Sequence, residues 1–149
     1  MNLTFTKLHP EAAPPIRAYG SSAAWDLAAF LKTPEGRYRT LTLAPRSTIL
    51  IPTGLSLLAP PGSVLLICSR SGLAARSVFV TNSPGVVDPD YVGEIKVLLS
   101  NGGMEPYYVQ HGDRVAQALI VGLVNCTLAE SAALQLTERG DKGFGSTGL

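Results

Sequence analysis

Apolar and polar side chains alternate with a two-residue period along much of this chain, as in Tyr38-Arg39-Thr40-Leu41-Thr42-Leu43 and Glu94-Ile95-Lys96-Val97. A period of two places successive side chains on opposite faces of a strand and so marks strands with one buried face. The pattern predicts strands over Leu3–Leu8, Ala23–Phe30, Tyr38–Leu43, Thr48–Ile51, Leu55–Leu58, Val64–Ser69, Val78–Thr81, Glu94–Leu99, Tyr107–Gln110 and Arg114–Val121. Clusters of Pro, Gly, Ser and Asn separate them. No stretch keeps a helical period with caps at both ends; the best helical candidate is the short Leu73-Ala74-Ala75-Arg76. Many short strands broken by turn residues indicate an all-β fold, a β-sandwich or barrel of jelly-roll type.

Composition sharpens this picture. The 149 residues include 46% hydrophobic and only 15% charged side chains, with 15 Gly and 11 Pro. That suits one domain with a real core and argues against intrinsic disorder. Twelve basic residues oppose eleven acidic ones, for a net charge of +1. A nucleic-acid surface needs clustered cations to neutralise phosphates, so nucleic acid is not an expected partner. The longest nearly apolar run, Val115 to Val124, contains Gln117 and is too short to span a bilayer. No membrane association is expected, nor is a secretory signal visible at the N-terminus. The expected location is cytoplasmic, or nuclear in a eukaryotic or viral setting. Cys68 and Cys126 sit in or beside apolar runs and read as buried free thiols.

The final stretch, Glu138 to Leu149, differs from the rest. It has four glycines and little to pack. It divides the chain into a β domain over 1–136 and a flexible lid over 137–149.

Five clusters carry candidate chemistry. Asp26, in Ala24-Trp25-Asp26-Leu27-Ala28, is a lone carboxylate in an apolar strand. It is either an exposed-face acid or a carboxylate that holds a hydrated divalent cation. Ser69-Arg70-Ser71-Gly72 forms a corner that offers a guanidinium, a hydroxyl and backbone N–H groups to an anion, or else a helix cap with a surface Arg. Asn82-Ser83-Pro84-Gly85-Val86-Val87-Asp88-Pro89-Asp90-Tyr91-Val92-Gly93-Glu94 reads as a hairpin with three carboxylates in its second half. One acid could act as a general base, and Tyr91 could lie against a sugar or base; solvated acids at a polar tip are the alternative. Gly112-Asp113-Arg114 leads into a strand where Gln117 breaks the apolar alternation, as a phosphate donor or a satisfied core amide. Asp113 and Arg114 alone read as a turn and an ion pair. The glycine-rich tail lacks the Gly-Lys-Ser/Thr of a Walker loop. Arg139 and Phe144 suit a closing arm that clamps phosphates and stacks on a base.

Taken in order, these clusters resemble the five motifs of the trimeric dUTPase family, from about Ala23 to Gly148. The resemblance rests on Arg70-Ser71-Gly72, Gly85-Val86-Val87-Asp88, Asp90-Tyr91, Gly112-Asp113-Arg114 and Arg139…Gly143-Phe144-Gly145-Ser146-Thr147-Gly148. It implies a dUTPase-like β-clip form of the jelly roll and a homotrimer with shared active sites. It implies hydrolysis of dUTP to dUMP and pyrophosphate, assisted by Mg²⁺, which limits uracil in DNA and supplies dUMP for dTMP synthesis. On that likeness Asp88 activates water and Tyr91 packs under deoxyribose. Asn82, Val86 and Val87 read uracil, with Lys96 near the base of their hairpin. Arg70, Ser71, Gly72 and Gln117 contact phosphates, and Asp26 helps hold Mg²⁺ through water. Arg139, Phe144, Gly145, Ser146 and Thr147 belong to the lid. Two positions depart from the family pattern: Trp25 stands where Tyr is common, and Val92 where a polar or basic residue often follows the hairpin Tyr.

Two other readings compete. A dCTP deaminase would share the core and the Arg-Ser stretch, but needs an added acid and lacks this tail. A non-catalytic binding protein on the same scaffold would have little reason to keep Asp88, Tyr91, Arg139 and Phe144 together.

Overall fold

Ten strands and one helical turn make up the computed structural model, which describes residues 2–143. The strands are β1 (Thr4–Lys7), β2 (Trp25–Ala28), β3 (Leu41–Leu43), β4 (Thr48–Leu58), β5 (Ser63–Cys68), β6 (Val78–Val80), β7 (Gly85–Val87), β8 (Glu94–Asn101), β9 (Tyr107–Val109) and β10 (Arg114–Gly122). The helix α1 (Ser71–Ala74) lies between β5 and β6. One four-stranded sheet has the order β1-β4-β8-β6 and another β2-β10-β5-β7, while β3 and β9 form a ribbon. All strand pairs are antiparallel.

One apolar cluster joins the sheets. Ile51, Leu55 and Leu57 of β4 and Val97 and Leu99 of β8 pack in a common core with Leu27 of β2, Leu65 of β5 and Val115 of β10. In β8 Ile95, Val97 and Leu99 are buried while Lys96 and Leu98 are exposed, as its alternation predicts. The structure thus confirms the all-β jelly-roll architecture with its short helix. Buried polar groups are paired: the Asn101 amide donates to the carbonyls of Leu43 and Glu105, at 3.1 and 2.8 Å.

Some elements differ from the expectation. The strands predicted at Thr48–Ile51 and Leu55–Leu58 are one strand, β4, whose pairing with β8 shifts register between Pro52 and Ser56. Pro52-Thr53-Gly54 reads locally as a turn. Here it forms a bulge, with Gly54 at φ +66°, where a Cβ would come within 2.9 Å of Ala12 and 3.0 Å of Phe30. Tyr38 makes only an isolated bridge with Lys32 rather than starting β3. The cysteines are not both buried, because Cys126 lies beyond β10 in exposed chain and Cys68 is half-buried.

Every residue from Val121 to Gly143 is exposed. Leu128, Leu134 and Leu136 are almost fully exposed. The poorly packed stretch therefore starts well before residue 137. Among the described residues no helix is long and apolar enough to cross a membrane.

Candidate active site

The hairpin predicted from Asn82 to Glu94 forms the wall of a cavity of about 300 Å³. Its first arm is β7, an edge strand paired to β5 through Leu65↔Val87, Leu66↔Val86 and Ile67↔Gly85. The far side of an edge strand keeps backbone N–H and C=O groups free for a ligand. Asn82, Val86, Val87, Asp88, Tyr91 and Lys96 all line this cavity, over a floor that includes Ile67 and Val97. Six of the residues singled out from the sequence are thus brought together.

Glycines set the close approaches. A Cβ on Gly85 would lie 2.9 Å from Asn82 Nδ2, and one on Gly93 would lie 2.5 Å from the Tyr91 hydroxyl oxygen. Only glycine leaves room for both side chains. The Tyr91 hydroxyl donates to the Glu94 carbonyl at 3.0 Å, and the Tyr91 N–H donates to the Asp88 carbonyl at 3.1 Å. The ring is thereby fixed at the cavity edge.

The structure also separates the three hairpin acids. Glu94 Oε1 accepts from the Gly54 N–H at 2.9 Å, and its other oxygen lies 3.6 Å from Lys96 Nζ. Glu94 is therefore a clasp between β8 and the β4 bulge. Asp90 does not line the cavity, whereas Asp88 does, exposed and without a hydrogen bond to its carboxylate among the described residues. Asp88 is the acid available to a bound ligand.

A second cleft, of about 340 Å³, is lined by Ser22, Asp26, Arg70, Ser71, Gly72 and Gln117, with three alanines. Gln117 of β10 lies opposite both Asp26 of β2 and Cys68 of β5, so neighbouring strands assemble the group. The Asp26 side chain is only 12% exposed. Arg70 Nε donates to Asp26 Oδ1 at 2.7 Å and Nη2 donates to Oδ2 at 3.4 Å. Arg114 Nη1 donates to Oδ2 at 3.0 Å. Asp26 is thus neither solvated nor unpaired. Its burial is offset by two guanidinium partners, which is how a carboxylate persists in such a strand. Arg70 occupies the cap position of α1 but makes no side-chain cap bond.

Ser69 couples the two clefts. Its N–H donates to Ser83 Oγ at 3.1 Å, its Oγ accepts from the Val80 N–H at 2.9 Å, and its carbonyl accepts from Gln117 Nε2 at 2.8 Å. The sequence offered a weak signal for Ser69, the Ser-Arg-Ser run, and none for its partners 11 to 48 residues away. Glu94 reads in sequence as one of three candidate acids rather than a clasp. Arg114, read beside Asp113 as an ion pair, pairs instead with Asp26, while the Asp113 carboxylate accepts from the Gln110 N–H. The clefts share no lining residue. Arg139 is exposed and lines neither. Phe144, Gly145, Ser146 and Thr147 lie outside the described residues.

A family model described as dUTPase matches residues 11–148 of this chain. The chain belongs to the dUTPase family. A curated relative, the deoxyuridine 5'-triphosphate nucleotidohydrolase of Treponema pallidum subsp. pallidum, is 45% identical over 144 residues, covering 95% of this chain and 94% of the relative. Among solved structures, a variant of the dUTPase of Staphylococcus bacteriophage 80alpha with dUpNHpp is 23% identical, covers 99% of each chain and gives a TM-score of 0.84. A dUTPase variant from phage phi11 of S. aureus, described for coordination of a structural Mg(II) ion, is 20% identical over 91% of this chain and all of its own, with a TM-score of 0.79. At those identities the solved structures establish the fold of this dUTPase-family chain.

No group of three or more His, Cys, Asp or Glu residues among those described could hold a metal ion directly. A carboxylate has about four acceptor sites. Three guanidinium contacts reach Asp26. One acceptor site is left for a water of a hydrated cation. Since two guanidiniums outweigh the single carboxylate, the charge that attracts such a cation has to come from a bound anion.

Proposed function

We propose that this chain is a dUTP diphosphatase, which hydrolyses dUTP to dUMP and pyrophosphate. The observation that carries the reading is the cavity where Asp88, a carboxylate unengaged among the described residues, meets the fixed ring of Tyr91 and the edge of β7. The 45% identity to a dUTP nucleotidohydrolase over nearly the whole chain supports it.

The residues suggest a division of labour. The edge of β7, with Asn82, Val86 and Val87, offers backbone donors and acceptors to uracil. Cytosine presents a donor where uracil presents an acceptor, and a mismatched polar pair in a closed pocket is strongly rejected. Tyr91 packs under deoxyribose, and Lys96 stands at the base of the hairpin. Arg70, Ser71, Gly72 and Gln117 receive the triphosphate. Asp88 accepts a proton from water as the water oxygen attacks the α-phosphorus. The bond from that phosphorus to the bridging oxygen breaks, and its electron pair leaves with pyrophosphate. Mg²⁺, when bound, neutralises charge on the triphosphate, and Asp26 would hold it through water. Arg139, Phe144, Gly145, Ser146 and Thr147 form the lid.

The active sites are shared in a homotrimer. Two features favour assembly: the hairpin and the phosphate cleft have no lining residue in common, and Leu128, Leu134 and Leu136 find no cover among the described residues. Burial of these leucines against a neighbouring subunit would remove their apolar surface from water.

Pyrophosphate release, measured with each deoxynucleoside triphosphate with and without Mg²⁺, tests the function. Release from dUTP alone is expected; an intact dUTP pool over folded, assembled protein refutes it, and deamination of dCTP would favour the rival enzyme. Tyr91→Ala is expected to narrow the dUTP-over-UTP ratio of kcat/KM by about tenfold or more, since the ring is what crowds a 2′-hydroxyl. An unchanged ratio would mean the sugar is read elsewhere.

A further inference from the structure

Between Arg114 and Ala116 the pairing of β10 with β2 shifts. Arg114 lies opposite Ala28 and Ala116 opposite Leu27, so Val115 is an extra residue. Val115 and Ala116 are consecutive yet both buried, at 2% and 0% exposure. A regular strand would turn one of them outward. Continued without the bulge from Gln117↔Asp26, the register would set Arg114 on the face of Leu27, which belongs to the core. The bulge instead puts Arg114 on the face of Asp26 and Ala28. Bulges commonly re-aim a side chain next to a functional site.

The turn before β10 holds this arrangement. The Gln110 N–H donates to Asp113 Oδ2 at 2.8 Å, the Gly112 N–H to the Ala29 carbonyl at 2.8 Å, and the Ala29 N–H to the Asp113 carbonyl at 2.8 Å. Gly112 has φ +85°, a conformation that suits glycine. The start of β10 is therefore anchored to the chain just after β2.

We propose that Arg114 is a positioning residue for phosphate binding: through the Asp26 carboxylate and through its own backbone carbonyl it holds the Arg70 guanidinium in the orientation that meets the triphosphate. Arg114 does not line the cleft, whereas Arg70 and Asp26 do. Its Nη1 lies 3.0 Å from Asp26 Oδ2, and its carbonyl accepts from Arg70 Nη1 at 3.1 Å. Arg70 is thus gripped on three of its nitrogens, two by the Asp26 carboxylate that Arg114 also holds and one by the Arg114 carbonyl itself. A side chain with so many rotamers loses entropy when it docks on a ligand, and prior fixation removes that cost. The second guanidinium also leaves the cluster with net positive charge, so that fixing Arg70 does not cancel its attraction for an anion. The inference rests on the dUTP diphosphatase reading.

A double-mutant cycle tests it, with kcat and KM for dUTP measured on Arg114→Met, Arg70→Ala and the double variant. Methionine keeps an aliphatic stem and removes the donors. In the otherwise native chain Arg114→Met is expected to lower kcat/KM about tenfold or more, divided between KM and kcat as the Arg70→Ala loss is divided. In the Arg70→Ala background the same change is expected to cost less than about twofold. Arg114→Lys, which keeps a donor and the charge, is expected to recover part of the loss, and it replaces Arg114→Met should that variant fail to fold. Equal losses in both backgrounds, a different division between KM and kcat, or full activity in Arg114→Met overturns the proposal. If the native chain leaves dUTP intact, the functional reading fails and the positioning role falls with it; if it hydrolyses dUTP and the cycle is additive, only the positioning role fails.

Discussion

Asp88→Asn protein is expected to bind dUTP and to release pyrophosphate at least ~10²-fold more slowly than the native chain, in the 10²–10⁴-fold range typical of a lost general base. Asparagine has nearly the shape of aspartate but no lone pair basic enough to take the proton from water. Asp88 is the only one of the three hairpin acids that both lines the cavity and has no protein group on its carboxylate among the described residues. Glu94 cannot substitute, because the Gly54 N–H and Lys96 already engage it. Single-turnover rates and the affinity for a non-hydrolysable dUTP analogue separate the chemical step from binding. Native turnover in Asp88→Asn would remove Asp88 from the mechanism. Lost binding with a preserved chemical rate would recast it as a recognition residue.

Removing residues 139–149 is expected to slow turnover by roughly 10²-fold or more, about what losing transition-state donors costs. The same deletion is expected to leave Tm within about 2 °C, the range for loss of surface chain without buried contacts. The basis is the combination of an exposed Arg139 with a stretch that buries no side chain from Val121 to Gly143. Chain of that kind contributes little to the core. The deletion spares Leu128, Leu134 and Leu136, so assembly should survive it. A thermal melt and a sizing run accompany the assay. If the shortened protein melts far lower or falls apart, the tail is structural and its role as a lid fails.

The strands that the sequence revealed are those whose faces see one environment each. Glu94–Leu99 alternates because one face of β8 meets the core and the other does not. Two elements escaped that logic. Pro52-Thr53-Gly54 looks like a turn, and only pairing with β8 on one side and β1 on the other carries β4 through it. Gly85-Val86-Val87 is too short and too close to Pro84 and Pro89 to register as a strand, and its existence depends on the waiting edge of β5. The cysteines misled for a related reason: apolar neighbours in sequence say nothing of whether the chain there packs, and Cys126 follows the last strand.

For the site, residue types and their order were legible, and the likeness to the dUTPase motifs gave each a role. Their partners were not. Asp26 reads as an isolated carboxylate in its strand, yet it meets Arg70 and Arg114, 44 and 88 residues away. No local pattern announces that pairing.

By itself the sequence determined the all-β class, the family and the set of groups that can do chemistry, since these depend on periodicity and on short motifs that survive in one dimension. Tertiary structure alone decided which hairpin acid stays unengaged, which arginines share a carboxylate, and where packed chain gives way to exposed chain. Those outcomes follow from strand register and one bulge, which bring distant residues within hydrogen-bond range and so depend on contacts between segments rather than on any segment's own composition.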